Sequence, residues 1–232
     1  MTQTKRRYPP VYPQLYWTVW RIMWLLIKTF TGGCTIEGAH HIPANGAFVL
    51  VTNHLSFIDS PVVFVAMPRI VYFLAGEKYT WHPLFGPILR VAGAIFVRRG
   101  EIDRDALRQA SNALQDGFCL VIAAEGTRSK TGGLIAGKTG AAYLATHENA
   151  LIVPMVVWGT EQVGPGWGKF RRAPVHVRFG QPFHLPEGRA RTRQLDAYTD
   201  EIMTTMAALL PEAYRGVYRD HPLLREKLSR QI

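Results

Sequence analysis

Phe48-Val49-Leu50-Val51-Thr52-Asn53-His54-Leu55-Ser56-Phe57-Ile58-Asp59 is the stretch on which the fold turns. Its first five residues form a short, β-rich apolar run, which reads as a buried strand, and a polar turn follows at once. Outward from it, short β-rich runs alternate with helical ones. Ile70–Ala75, Ala94–Val97, Leu120–Ala124, Leu151–Val157 and Val175–Phe179 read as strands. Asp103 or Asp105 suits the cap of a helix that places Leu107, Ala110 and Leu114 on one face and closes at Gly117. Gly140–His147 is helical, and Leu195, Tyr198, Ile202, Met206 and Leu209 line one face of a late helix. Alternation of this kind predicts an α/β fold with a mostly parallel central sheet flanked by helices. In such sheets ligands bind beyond the carboxyl ends of the strands, so chemistry is sought just after each strand.

Four segments answer that rule. His54 and Asp59 lie five residues apart directly after the first strand, and a turn between them lets the carboxylate orient the imidazole. The other ring nitrogen then serves as a general base toward a substrate hydroxyl. Ser56 invites a serine hydrolase, but the Gly-x-Ser-x-Gly elbow is absent. Equally, Asp59 suits a helix cap ahead of Pro61 with His54 incidental. After Ala94–Val97 come Arg98 and Arg99, whose guanidinium forks match phosphate oxygens and which also suit a solvated strand end. After Leu120–Ala124 come Glu125, Gly126, Thr127, Arg128 and Ser129: a carboxylate for a hydroxyl, a glycine for close approach, and another arginine. Lys138 follows at a helix start, where the dipole favours an anion. In the fourth segment, Pro154 within a β-rich run predicts a bulge or an edge, and a place in an apolar wall.

Gly132–Thr139 fits the P-loop pattern literally, yet a P-loop begins where a strand ends, and here the strand ends eight residues earlier. No apolar strand ending in the magnesium-binding aspartate is visible either.

The 232 residues suffice for one α/β domain, and 47% hydrophobic against 19% charged residues is a globular composition. A net charge of +10 points to an anionic partner: nucleic acid, a membrane surface or a phosphorylated substrate. No nucleic-acid recognition motif supports the first. Cys34 and Cys119 lack metal-ligand spacing and read as reduced, buried thiols. Tyr12–Phe30 is rich in Trp and Tyr. Its Trp17, Trp20, Trp24 and Ile27 form an apolar stripe, with Arg21 and Lys28 on another face and Lys5, Arg6 and Arg7 just before. The expectation is an N-terminal amphipathic helix lying in one membrane leaflet, the competing readings being a helix packed on its own domain and a tilted single-pass span. The chain thus divides into an anchoring segment, 1–33, and a domain, 34–232. Gly164–Arg172 is expected to be an exposed, basic loop.

Taken in order, these segments resemble the glycerolipid acyltransferase family, of the lysophosphatidate (1-acylglycerol-3-phosphate) acyltransferase type, over about residues 34–180. Asn53-His54-x-Ser56-x-x-Asp59 is similar to its catalytic His-x4-Asp motif, and Gly93–Arg99 to its second motif. Glu125–Ser129 resembles its glycerol-phosphate motif, Lys138–Ala141 the basic patch downstream, and Val153-Pro154 its fourth motif. The resemblance implies acyl transfer from acyl-CoA or acyl-carrier protein to the sn-2 hydroxyl of lysophosphatidate, giving phosphatidate. His54 would be the base and Asp59 its partner. Arg99, Arg128 and Lys138 would hold the phosphate, with Glu125, Gly126 and Thr127 on the glycerol side and Pro154 in the acyl-chain or donor pocket. No metal or other cofactor is implied. The partners implied are the lysophospholipid, the thioester donor and the cytoplasmic face of a membrane, with no nucleic acid. Two positions depart from the family pattern: Gly137, where an aromatic often stands, and Arg98, where an acidic residue often stands. The competing functions are acylation of another lysophospholipid, a P-loop nucleotide enzyme centred on Lys138, and a non-catalytic peripheral lipid-binding protein.

Overall fold

The computed structural model describes residues 8–98, 100–166, 169–186 and 190–230. From the N-terminus the chain forms α1 (Pro13–Phe30), β1 (Cys34–Glu37), β2 (Phe48–Thr52), α2 (Asp59–Ala66), β3 (Val71–Gly76), α3 (Phe85–Val91) and β4 (Ala94–Val97). It continues through α4 (Arg104–Gln115), β5 (Cys119–Ala123), α5 (Gly140–His147), β6 (Leu151–Trp158), β7 (Gly164–Gly166), β8 (Lys169–Arg171) and β9 (Val175–Phe179). It closes with α6 (Thr192–Leu209) and α7 (Pro222–Ser229).

Among the described residues, seven strands form one sheet in the order β1-β9-β6-β2-β5-β3-β4. Every neighbouring pair is parallel except β6 with β9. β2 lies at the centre and is buried at all five residues, as its unbroken apolar run requires. Side chains alternate across it. Phe48 and Leu50 join the core under α1 and α2, while Val49 and Val51 join the core under α4, α5 and α6. Asp103 caps α4, its carboxylate accepting from the Ala106 amide. Within the expected loop at 164–172, the described residues form two short strands, β7 and β8, that pair antiparallel.

One sequence expectation is corrected here and a second is narrowed to one of its two alternatives. In the first, the tryptophan stripe of α1 does not face away from the domain. Tyr16 and Ile27 are buried, and Trp17, Trp20 and Trp24 pack against the same core. The Tyr16 hydroxyl also accepts from the Val71 amide at the start of β3. The face left exposed carries Leu15, Ile22, Leu25 and Leu26, so the helix is apolar on two sides and periodicity alone could not choose between them. Lys5, Arg6 and Arg7 lie outside the described residues. No described helix is long and apolar enough to cross a membrane.

In the second, Pro154 lies in an interior strand and not at an edge, though it does face an irregularity. Between the Ile152–Phe183 bridge and the Met155–Phe179 pair, β6 advances three residues and the opposing strand four. Within a strand the N–H and C=O of one residue point the same way. The Pro154 carbonyl accepts from the Gly180 amide, so the missing N–H also faces this slipped register, where no regular ladder bond is lost.

Candidate active site

The polar turn after β2 lies beside the turn after β5, at the carboxyl edge of the sheet. His54 Nδ1 is 3.0 Å from Asp59 Oδ2. The same oxygen accepts from the amides of Leu55 at 2.5 Å and Ser56 at 2.7 Å, and the Thr160 hydroxyl donates to Oδ1. Asp59 is 1% exposed, so its charge is held by four donors and not by water. The carboxylate reaches back to the turn before it, not forward to cap α2, whose N-cap is Ile58. The His54 ring retains 15% of its side-chain exposure, and among the described residues no protein group bonds its Nε2. The imidazole therefore has one nitrogen fixed and the other turned to the opening.

Asn53 anchors this turn from the strand side. Its side chain donates to the Val157 carbonyl and accepts from the Val157 amide, both at 2.8 Å, continuing the β2–β6 ladder with a side-chain amide. The turn after β5 anchors it from the other side. The His54 amide donates to Glu125 Oε2 at 2.8 Å, and the His54 carbonyl accepts from the Ser129 amide at 2.7 Å. Glu125 Oε1 accepts from the Ile135 amide at 2.9 Å. The Glu125 residue is 0% exposed, and burial pushes its carboxyl up to about 7 against the pull of the two amides. A carboxyl committed to two backbone N–H groups and shut from the opening is not placed to meet a substrate hydroxyl, which corrects that expectation.

An apolar cavity of about 300 Å³ opens beside His54 and Asp59. Its mouth includes Thr127 and Arg128, and its walls come from α1 (Val19, Met23), α2 (Val63, Phe64), β3 (Phe73, Ala75) and α3 (Ile88, Leu89). Pro154 is not among the lining residues. It follows the parity of Ile152 and Val156, which point into the core beneath α6, on the other face of the sheet. An acyl-pocket role for Pro154 is therefore corrected by simple alternation.

The remaining candidates divide. Gly126 has φ +66°, a left-handed turn, and a Cβ there would stand 3.3 Å from Lys138 Cγ. The Lys138 stem thus lies across the turn, exposed, but does not line the cavity. Arg99 lies outside the described residues. Arg98 is engaged by Glu101 at 3.0 Å and Asp103 at 3.3 Å. At Gly137 a Cβ would meet Met203 Cγ at 2.6 Å and Thr199 Cγ2 at 2.7 Å, so the absent aromatic reflects packing against α6. The P-loop pattern fails physically as well: the amides of Leu134, Ile135, Gly137 and Lys138 are donated to Tyr214, Glu125, Tyr218 and Ala124. They are not available to cradle a phosphate.

Three residues at the site escaped the sequence reading. Lys78 lines the cavity just past the end of β3, where the strand-end rule, applied to that strand too, points to it. Asn53 was visible in its motif but without a task. Thr160, buried a hundred residues from its partner Asp59, left no sequence signal at all.

Comparison with known proteins gives the chain its relatives. The chain is 27% identical over 201 residues to the 1-acyl-sn-glycerol-3-phosphate acyltransferase of Cocos nucifera, an alignment that covers 84% of this chain and 62% of that one. It is 30% identical over 141 residues to the human 1-acyl-sn-glycerol-3-phosphate acyltransferase alpha, covering 59% of this chain and 50% of the relative. The chain thus spans between half and two thirds of those relatives' length. The crystal structure of the 1-acyl-sn-glycerophosphate (LPA) acyltransferase PlsC from Thermotoga maritima superposes with a TM-score of 0.66 at 24% identity, covering 81% of this chain and 76% of that one, and so shares the fold. The family model described as Acyltransferase matches residues 33–158, more than half of the chain and every motif from β1 to the end of β6. The chain belongs to the acyltransferase family.

Proposed function

We propose that this acyltransferase moves a fatty acyl group from an acyl-CoA or acyl-carrier-protein thioester to the sn-2 hydroxyl of lysophosphatidate, forming phosphatidate. The observation that carries the reading is the His54–Asp59 pair, with Nδ1 fixed and Nε2 open, at the mouth of an apolar cavity. His54 Nε2 removes the hydroxyl proton as the acceptor oxygen attacks the thioester carbonyl, and Asp59 stabilises the imidazolium. The tetrahedral adduct collapses by breaking the C–S bond, and the departing thiolate takes the proton back from Nε2. No enzyme nucleophile is consumed, because the acceptor supplies the oxygen and a thiolate leaves readily.

The cavity's apolar walls suit an acyl chain. Arg128 at its mouth supplies charge for the acceptor phosphate, joined by Lys138 across the Gly126 turn and, on the strength of its motif, by Arg99. The names of the relatives support lysophosphatidate as acceptor. The exposed apolar face of α1, flanked by Arg21 and Lys28, suits peripheral or monotopic attachment to the cytoplasmic face of a membrane, where such an acceptor resides.

The test is direct. Purified protein is given lysophosphatidate with acyl-CoA or acyl-carrier-protein donors, and free thiol and diacyl product are followed. Stoichiometric release of both supports the proposal. Equal activity on lysolipids without a phosphomonoester would sink the headgroup assignment, and thiol release without diacyl product would sink acyl transfer to lipid.

A further inference from the structure

Glu125 is left without a partner on the substrate, yet it is among the most completely buried polar residues of the chain. One carboxyl oxygen holds the His54 amide at 2.8 Å and the other holds the Ile135 amide at 2.9 Å. Four residues on, the Ser129 amide holds the His54 carbonyl at 2.7 Å. Both backbone polar groups of His54 are thus bonded to one turn, and its ring is bonded to Asp59. Rotation about χ1 and χ2 is limited by Asp59, but the origin of the side chain, its Cα, is set by the turn after β5. Burying a carboxyl beside a second buried carboxylate is unfavourable: desolvation and the charge of Asp59 both raise its pKa. An apolar contact would fill the same space without that cost, but would leave the His54 and Ile135 amides unpaired.

We propose that Glu125 is a positioning residue: its carboxyl fixes the backbone of His54, and through it the place of Nε2 over the cavity, without touching the acceptor. This rests on the acyl-transfer reading above. It differs from a substrate contact in where the damage falls, since a misplaced base lowers turnover and a lost substrate contact weakens the acceptor complex.

Glu125→Gln keeps the shape but sets an NH₂ group against one of two N–H donors, so one buried amide loses its acceptor. Glu125→Asp, one methylene shorter, cannot span both amides. A displacement of about 1 Å in a catalytic group can cost about 10²-fold. Both variants should therefore lose roughly 10–10²-fold in kcat while KM for lysophosphatidate stays within about twofold. Combined with His54→Ala, Glu125→Gln should cost nothing further, because the two act as one unit. A KM raised about tenfold at unchanged kcat would show a substrate contact and overturn the proposal. Normal kcat and KM with only a lower thermal midpoint would also overturn it, showing a structural prop.

Two readouts do not depend on the reaction. In ¹⁵N NMR of folded Glu125→Gln, the His54 amide and ring resonances must move, and unmoved resonances overturn the proposal even if the wild-type protein fails to acylate lysophosphatidate. Should neither variant fold, hydrogen exchange of the wild-type protein decides: the His54 amide must be protected, and exchange at the rate of an unbonded amide overturns the proposal.

Discussion

Replacing His54 by alanine should separate chemistry from stability more cleanly than any other change in this chain. The imidazole makes one hydrogen bond, to Asp59, while the His54 amide and carbonyl stay tied to Glu125 and Ser129. Truncation leaves no buried donor or acceptor bare, because Asp59 keeps the Leu55 and Ser56 amides and the Thr160 hydroxyl. The stability cost is that of one hydrogen bond to a charged group, about 1.5–3 kcal/mol. For a chain of this size that lowers the thermal midpoint by about 3–12 °C. The catalytic cost is read separately, as a rate: general-base catalysis contributes about 10²–10⁴-fold, equivalent to about 2.7–5.4 kcal/mol of barrier. Turnover is followed by release of free thiol from an acyl-CoA donor in the presence of lysophosphatidate. Circular dichroism and a melting curve on the same sample establish that the variant is folded. A folded His54→Ala protein whose kcat lies within about threefold of wild type would refute the general-base reasoning, since the expected loss is at least about 10²-fold.

Asp59→Asn should cost less than a tautomer switch would. The Leu55 and Ser56 amides both donate toward Oδ2, so the Asn carbonyl is forced to that position, facing His54 as the carboxylate does, and its NH₂ group turns to Thr160. Only the charge is lost, and kcat should fall about 10–10²-fold with folding intact; a fall of about 10⁴-fold would mean that the amide has flipped. Glu125 makes stability depend on pH. Its carboxyl is raised by burial from 4.5 to about 7, so between those values the folded chain binds the proton that the unfolded chain has released. Its contribution is full below about pH 4.5 and is lost as pH rises through about 7. Melting curves between pH 5 and 8 should fall with pH in wild type and flatten in Glu125→Gln, and equal slopes would contradict the assignment. Gly137→Phe should lower the melting midpoint, since even its Cβ meets Met203 and Thr199. Overpacking of this kind costs about 1–3 kcal/mol, and an unchanged midpoint would show that α6 yields freely. Ile22→Glu with Leu25→Glu, both on the exposed face of α1, should weaken binding to anionic vesicles without changing the melting curve, and unchanged cosedimentation would remove α1 from the membrane interface.

The parts of this fold governed by local pattern were legible in the sequence. β2, β4, β9 and α5 begin and end where runs of β-branched or helix-favouring residues do, and Asp103 marks the start of α4. The strand-end rule brought His54, Asp59 and the Glu125–Arg128 turn to one edge of the sheet. What was not legible depends on neighbours. The antiparallel pairing of β9 against β6 is a matter of long-range order, and nothing in Val175–Phe179 records the direction of its partner. α1 is apolar on two faces, so its buried side is chosen by α2 and β3 and not by its own period. Pro154 shows its irregular ladder, but which face of the sheet it occupies follows from a register that only the assembled strands define. Glu125 announces a polar turn without saying that its carboxyl points inward, because a buried carboxyl and a substrate-facing one look alike until their donors are known.

The cavity wall has two origins along the chain. His54, Asp59, Thr127 and Arg128, which line it, fall within the stretch matched by the acyltransferase family model, whereas Val19 and Met23 precede it. The candidate catalytic groups and part of the cavity wall therefore lie in different segments of the sequence. Substitutions in α1 can reshape what the cavity accepts while those four residues stay untouched. The reverse holds as well: a fragment beginning at β1 would keep each of those four residues and lose one side of the chamber they serve.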